Sequence, residues 1–145
     1  MNDAQMEEAT EQSSTRAAAQ KLLGAMLVGS GTGHLTVLRK PFYAQVPPWV
    51  PLDPDTVVVL SGLAEITLGA TLLLAKKRRR AVGWAAAAFF VAIFPGNIAQ
   101  WQHHRNAFGL DTDAKRFARL FGQPVLVGWA LWATNALRQR RVRER

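Results

Sequence analysis

The chain has 145 residues, the length of a single domain, and its mean hydropathy is near zero. Its formal net charge is +8, but the Lys and Arg clusters adjoin apolar segments, where the positive-inside rule and anionic lipid headgroups account for them without a nucleic-acid partner. Cysteine is absent. This absence excludes disulfides, thiol catalysis, thiol-ligated metal centres and covalently attached c-type haem for this chain.

The apolar residues gather in long runs that are separated by short charged clusters. Residues 1–15 are acidic and polar, without the apolar core of a signal peptide, and predict a disordered cytoplasmic tail. Four apolar segments follow, at about residues 17–38, 56–75, 81–101 and 117–137. Each is close to the roughly 20 residues that a helix needs to cross a bilayer. We therefore predict an all-α fold, in which residues 16–138 form a four-transmembrane-helix bundle and residues 139–145 form a basic tail.

The basic clusters set the predicted orientation of this bundle. Residues 76–80 (KKRRR) and 138–145 (RQRRVRER) lie on the same side if the third and fourth segments both cross. Taking that side as cytoplasmic leaves more Lys and Arg residues inside than outside, as the positive-inside rule requires. The sequence thus predicts a multi-pass protein of a prokaryotic cytoplasmic membrane, with both termini cytoplasmic and membrane lipids as partners.

Proline dominates the predicted outer loop between the first and second segments. Residues 39–55 (RKPFYAQVPPWVPLDPD) hold five of the seven prolines, together with three aromatic side chains. That density of proline is incompatible with a regular helix, and the aromatic side chains suit the headgroup layer. We expect a stiff, partly extended flap that folds back over the outer mouth of the bundle.

Glu65 is the only charged residue in the apolar run 56–75. The ten Leu, Val and Ile residues of that run contribute roughly −0.3 to −0.6 kcal/mol each and outweigh the cost of about +2.5 to +3.5 kcal/mol for one central acid. Ser61, Gly62 and Gly69 lie on the helix stripe around Glu65 and predict close packing against a neighbouring helix. Two interpretations of Glu65 stay open: a ligand or proton site, or a neutral carboxyl group that only fixes helix packing.

Three further polar residues fall at a depth similar to that of Glu65. His34 is late in the first segment, Asn97 is late in the third, and Gln123 is early in the fourth. With Glu65 they predict an outer-half polar pocket, although each also has a structural interpretation, such as anchoring a loop. Pro95 predicts a kink or an unwound turn beside Asn97.

Two other sets of residues have weaker claims to a site. Arg119 lies one turn before Gln123 and is a candidate partner for Glu65, for a lipid phosphate or for an anionic ligand, while snorkelling to the headgroups is the ordinary expectation. His103 and His104 are adjacent, and adjacent histidines rarely converge on one ion, so no metal site is predicted.

Several motifs occur in the order found in DoxX-like membrane proteins. They are residues 31–34 (GTGH), 41–43 (PFY), 46–51 (VPPWVP), 61–66 (SGLAEI) and 94–98 (FPGNI), then Arg119, Gln123-Pro124, Trp129 and Trp132. Over about residues 20–137 the chain resembles that family, which is named for a subunit of a thiosulfate:quinone oxidoreductase. The resemblance implies a four-helix integral membrane protein, with a quinone as a candidate cofactor and other subunits of a membrane redox complex as candidate partners.

The leading hypothesis combines the pocket with this resemblance. It is a DoxX-like membrane protein, accessory to a membrane redox process, that binds a quinone-like or lipid-like ligand. Glu65 would contact the ligand, His34 would relay protons, and Asn97 and Gln123 would orient the bound molecule. The alternatives are a purely structural subunit of a membrane complex and a small lipid isomerase, so enzyme activity is left open.

Overall fold

The computed structural model describes residues 3–138, and within that range the chain is all-helical, with no strand. The predicted all-α class is therefore confirmed. The helices are α1 (Asp3–Leu35), α2 (Arg39–Phe42), α3 (Pro54–Leu74), α4 (Arg79–Gln102), α5 (Asp113–Leu120) and α6 (Gly122–Ala133). A 3₁₀ turn, Tyr43–Gln45, directly follows α2. We call residues 39–53 the flap, and the end of the bundle that it covers the flap end.

The longer helices pack around a common core. α1 lies along α3 and α4 lies along α6, and the two pairs meet through contacts between α1 and α6 and between α3 and α4. Apolar side chains fill the half of the bundle that is remote from the flap. The members of this core that are almost fully buried are Leu23, Leu27, Leu72, Ala86, Ala87, Phe90 and Ala130. The buried polar side chains of the predicted pocket lie instead toward the flap end, beyond this apolar half.

Glycine lets α1 and α3 approach each other at backbone distance. A Cβ atom added to Gly69 would lie 2.6 Å from the carbonyl oxygen of Gly24, and one added to Gly62 would lie 2.9 Å from the carbonyl oxygen of Gly31. Small residues are what close helix packing requires, in membranes above all. The two glycine pairs run in opposite order along the two helices, so α1 and α3 are antiparallel and the end of α1 lies beside Glu65.

The remote end of the bundle is closed by hydrogen bonds between helices. The side-chain nitrogen of Gln20 donates to the carbonyl oxygens of Leu72 at 2.7 Å and Ala75 at 3.0 Å, which are among those left free at the end of α3. The indole nitrogen of Trp129 donates to the carbonyl oxygen of Ala19 at 3.0 Å. These bonds tie α1 to both α3 and α6 and hold the register of the apolar core.

The N-terminal boundary differs from the sequence prediction. α1 begins at Asp3, so residues 3–15 are helical rather than disordered. Glu, Gln and Ala are common there and have high helix propensity, and the hydroxyl groups of Thr10 and Thr15 bond back to carbonyl oxygens one turn earlier. The predicted basic tail, residues 139–145, lies outside the described residues, as do residues 1 and 2.

Only two helices in the described range are long and apolar enough to cross a membrane, not the four predicted. They are Pro54–Leu74 and Arg79–Gln102. The predicted fourth span, 117–137, is divided at Phe121 between α5 and α6. α6 has 12 residues, about 18 Å of helix, which is too short to cross a hydrocarbon core of about 30 Å by itself. Pro124 has no backbone N–H and is tolerated in a first helical turn, so it favours a new helix start at this point.

The proline-containing segments also differ from expectation. α4 is helical without interruption across Pro95, so of the predicted kink or unwound turn the unwound turn is wrong. The sequence predicts a partly extended flap without a regular helix, whereas α2 and the 3₁₀ turn occupy its first seven residues. Its far end is fixed where Asp53 caps α3, accepting from the backbone N–H groups of Asp55 and Thr56 at 3.0 and 3.3 Å. The flap is thus a short helical turn followed by an irregular stretch that ends at a helix cap.

Candidate functional site

A cavity of about 190 Å³ lies beneath the flap, between α3 and α4. Its walls are mostly apolar and include Val46 and Val50 of the flap, Val58 of α3 and Ile93 of α4. Two titratable side chains, His34 and Glu65, line the cavity. Ser61 and Pro95 line it as well. The cavity therefore combines an apolar surface with one acid and one imidazole.

His34 and Glu65 are adjacent and almost completely buried. Their exposed fractions are 5% and 4%, and the distance between His34 Nδ1 and Glu65 Oε2 is 3.5 Å. The same Nδ1 atom lies 3.0 Å from the carbonyl oxygen of Ser30, one turn earlier on α1. Glu65 Oε2 has no hydrogen-bond partner among the described residues. The pair comes together because Gly62 and Gly31 let α1 approach α3 here.

Aromatic stacking presses the flap onto His34. The rings of Phe42 and His34 are stacked, with 3.4 Å between centroids and 15° between planes, and Phe108 packs on Phe42 at 4.7 Å. The flap is also held at its start by a polar cluster, in which Arg39 and the Tyr43 hydroxyl both donate to the Asp55 carboxylate. The hydrogen bond to Asp55 raises the pKa of Tyr43. His34 is therefore covered from outside by the first turn of the flap.

Backbone contact seats the flap on α4. Arg105 donates to the carbonyl oxygens of Val46 at 2.7 Å and Ala44 at 3.3 Å. Gly96 lies so close to the carbonyl oxygen of Gln45 that a Cβ atom would collide with it. The side chain of Gln45 donates to Gln100 Oε1 at 3.1 Å. The flap is consequently held against both α3 and α4, and it forms the roof of the cavity below it.

Asn97 and Gln123 are buried but do not line this cavity. Their exposed fractions are 4% and 6%, and Asn97 Oδ1 and Gln123 Oε1 lack hydrogen-bond partners among the described residues. Asn97 belongs to α4 and Gln123 to the first turn of α6. Of the four residues in the predicted pocket, the structure brings His34 and Glu65 together and leaves these two outside the cavity lining.

Arg119 occupies an exposed position on α5. Its charge acts on the carboxylate of Glu65, but the two side chains form no ion pair within the part of the chain that the structure describes. Arg119 does not line the cavity. Arg119 therefore influences Glu65 through its charge at a distance and makes no contact with the cavity.

Two buried residues outside the predicted pocket, Gln100 and Arg116, also organise the flap end. Arg116 is 5% exposed and donates to Asp113 at 2.5 Å and to Asn106. Gln100 is 2% exposed and joins the flap to the carbonyl oxygen of Arg105. Gln100 lies one turn after Asn97 on the same face of α4, so helical periodicity alone could have identified it as a buried polar residue. For Arg116, the spacing of three residues from Asp113 on α5 fits an i,i+3 ion pair, whereas Asn106 comes from the loop before α5 and no sequence pattern connects it to Arg116.

The adjacent histidines, His103 and His104, do not line the cavity. His104 Nδ1 lies 2.7 Å from Asp113 Oδ1 in an exposed pair, and this contact lowers the pKa of Asp113. Among the side chains that the structure describes, no group of three or more His, Cys, Asp or Glu residues could hold a metal ion.

Comparison with known proteins gives a family but no activity. No curated protein and no solved structure matches the chain. One family model matches residues 23–134, and this range includes His34, Glu65, the flap and all of α4. Because the match extends over most of the chain, the protein belongs to the family described as domain of unknown function DUF8561.

Proposed function

We propose that this protein is an integral membrane protein in which α3 and α4 cross the bilayer. Only 28% and 33% of their most apolar stretches are buried within the protein, whereas the core helix of a soluble protein is mostly buried. Leu60, Leu63, Trp84 and Val91 are among the large apolar side chains that these two helices expose. A surface of that kind is stable against lipid rather than water.

In the proposed topology α1 and the α5–α6 pair complete a four-helix bundle with both termini cytoplasmic. The basic residues between α3 and α4 then lie at the cytoplasmic surface and the flap lies outside, as the positive-inside rule favours. The multi-pass location in a cytoplasmic membrane is part of this proposal.

Cysteine labelling tests this topology directly, since the chain has no cysteine of its own. Leu52→Cys in the flap and Lys77→Cys between α3 and α4 both replace exposed residues. On intact cells, a membrane-impermeant maleimide is expected to label Leu52→Cys and to label Lys77→Cys only after permeabilisation. Equal labelling of both variants before permeabilisation would contradict the proposed crossing.

The cavity supports a ligand-binding function. An apolar cavity of about 150 Å³ is large enough to bind benzene, so the space of about 190 Å³ beneath the flap is sufficient for one six-membered ring. The observation that carries the proposal is the buried Glu65 carboxylate, which faces this space beside His34 with Oε2 unpaired. Buried polar atoms without partners are uncommon in proteins and call for an explanation.

The function that this site supports best is binding of a quinone-like or lipid-like molecule with a single-ring head. Glu65 and His34 would hold the polar group of the head, and the apolar tail would leave between α3 and α4 toward lipid. The accessory role in a membrane redox process comes from the sequence resemblance to DoxX-like proteins. Asn97 and Gln123 have no direct part in this version of the site, because they do not line the cavity.

Binding of a decyl-substituted benzoquinone, in its oxidised and reduced forms, tests this function. In detergent or nanodiscs, at least one form is expected to bind and to quench tryptophan fluorescence, because Trp49 lines the cavity. Glu65→Leu should weaken that binding about tenfold or more, since a hydrogen bond to a charged group contributes roughly 1.5–3 kcal/mol. Thr67→Val is the matched control, because Thr67 is exposed on α3 and does not line the cavity.

The two alternatives give different results in the same experiment. A purely structural subunit would bind neither form, and Glu65→Leu would alter only thermal stability. A lipid isomerase would convert a lipid substrate and lose that activity in Glu65→Gln. Absence of binding to wild type, or undiminished binding to Glu65→Leu, would remove the ligand-binding proposal.

A further inference from the structure

The charged and titratable side chains around the cavity limit which ligand head groups it can bind. The inference drawn from them rests on the proposed function. His34 and Glu65 are its titratable lining residues, and no Lys or Arg side chain lines it. A phosphate or carboxylate head would lie beside the Glu65 carboxylate without a counter-charge, which a site of low polarity strongly disfavours. Anionic lipid heads are therefore excluded from the cavity.

The hydrogen-bond partner of His34 fixes the position of one proton. The carbonyl oxygen of Ser30 can only accept, so His34 Nδ1, at 3.0 Å from it, carries the hydrogen. Glu65 Oε2 lies 3.5 Å from the same nitrogen but accepts no hydrogen bond from it, because the N–H group is directed at Ser30. In the carboxylate form of Glu65, Oε2 is an acceptor, and in the neutral imidazole Nε2 is an acceptor as well.

One oxygen of Glu65 lacks a hydrogen-bond donor. Oε2 is buried and makes no hydrogen bond of normal geometry to any described residue, although the Ser30 hydroxyl acts on the same carboxyl group. A buried acceptor without a donor loses its hydrogen bonds to water and forms none within the protein, which costs free energy. A ligand that brings a donor group to this atom removes that loss, whereas a ligand that brings only acceptor groups adds a second unpaired atom.

We propose that the cavity takes an uncharged ring that carries a hydroxyl group, in preference to the same ring with acceptor groups alone. The hydroxyl donates to the Glu65 carboxylate, and the ring lies against the apolar wall formed by Val58 and Ile93. The ligand class is thus a phenol or another ring alcohol with an apolar tail.

A pair of probes that differ only in the donor tests this inference. They are 4-nonylphenol and its methyl ether, 4-nonylanisole, which share ring and tail. Titration into the purified full-length protein in nanodiscs, followed by tryptophan fluorescence, gives both dissociation constants. The phenol is expected to bind about tenfold or more tightly, the ratio that one hydrogen bond to a carboxylate provides.

Substitutions at Glu65 assign the preference to its carboxylate. Glu65→Leu is expected to bring the ratio of the two constants close to one, whereas Thr67→Val, on the exposed face of the same helix, should preserve it. Glu65→Gln retains an acceptor oxygen and should keep part of the preference. If Glu65→Leu does not fold, the wild-type and Glu65→Gln ratios decide the question between them.

The possible negative results distinguish the donor preference from the proposed ligand-binding function. Equal affinity of wild type for the phenol and the ether overturns the donor preference and leaves the cavity as a ligand site. A preference that persists in Glu65→Leu overturns the role of Glu65 in it. Binding of neither probe, nor of the benzoquinone forms, removes the proposed function itself.

Discussion

Replacing Gly62 with alanine is expected to destabilise the bundle by about 1–3 kcal/mol, the usual cost of overpacking a tight interface. The new Cβ would lie 2.6 Å from the Cβ of His34 and 2.9 Å from the backbone oxygen of Gly31, so α1 and α3 must separate. This cost exceeds the roughly 0.8–1.0 kcal/mol that alanine gains over glycine in a helix. Denaturant or thermal unfolding in detergent, monitored by circular dichroism, measures the difference.

Gly29→Ala is the matched control for that experiment. Gly29 is also in a long helix, but a Cβ atom there would meet nothing within 4 Å. The substitution is expected to leave stability unchanged or to increase it by up to about 1 kcal/mol. Equal stability of the two variants would mean that α1 and α3 are not in backbone contact at Gly62. In Gly62→Ala, the separation of α1 and α3 should also move His34 away from Glu65 and weaken binding of the phenol probe.

Replacing Gly96 with alanine is expected to release the flap while leaving α4 helical. The added Cβ would collide with the carbonyl oxygen of Gln45, a main-chain atom that cannot rotate away. Alanine favours the helix itself, so the strain is relieved by movement of the flap. Hydrogen–deuterium exchange of a peptide spanning residues 42–50 should become about tenfold faster or more, because the N–H of Val46 is bonded within this turn.

Gly128→Ala on α6 provides the control, since a Cβ atom there meets nothing within 4 Å. Its flap peptide should exchange at the wild-type rate. In Gly96→Ala the phenol probe should also dissociate faster, because the roof of the cavity is displaced. Unchanged exchange of residues 42–50 in Gly96→Ala would contradict the seating of the flap on α4.

Local features of the sequence anticipated much of the helical architecture. The apolar runs 56–75 and 81–101 correspond closely to α3 and α4, because helix length and hydropathy are properties of contiguous residues. The position of Gly62 and Gly69 beside Glu65 likewise follows from helical periodicity alone. The errors arose where a boundary depended on several weak preferences: residues 3–15 are helical, and 117–137 is divided at Phe121.

The candidate site was predictable only in part. His34 and Glu65 were identified from their depth in two separate segments, and the structure places them 3.5 Å apart. Asn97 and Gln123 lie at a similar depth but outside the cavity lining. Depth along a helix follows from sequence position, whereas which side chains share a cavity depends on how each helix is rotated and packed.

The sequence by itself determined the all-helical class, the apolar helices α3 and α4 among the four spans it predicted, and one acid on the glycine-containing face of α3. Tertiary structure alone decided that Arg105 holds the flap through backbone oxygens and that Gly96 receives the Gln45 carbonyl. Every residue has a backbone oxygen, so residue types do not reveal which of these atoms a distant side chain will reach. For Glu65 the sequence supplied the carboxylate, and the packing of α1, α3, α4 and the flap supplied the cavity that it faces.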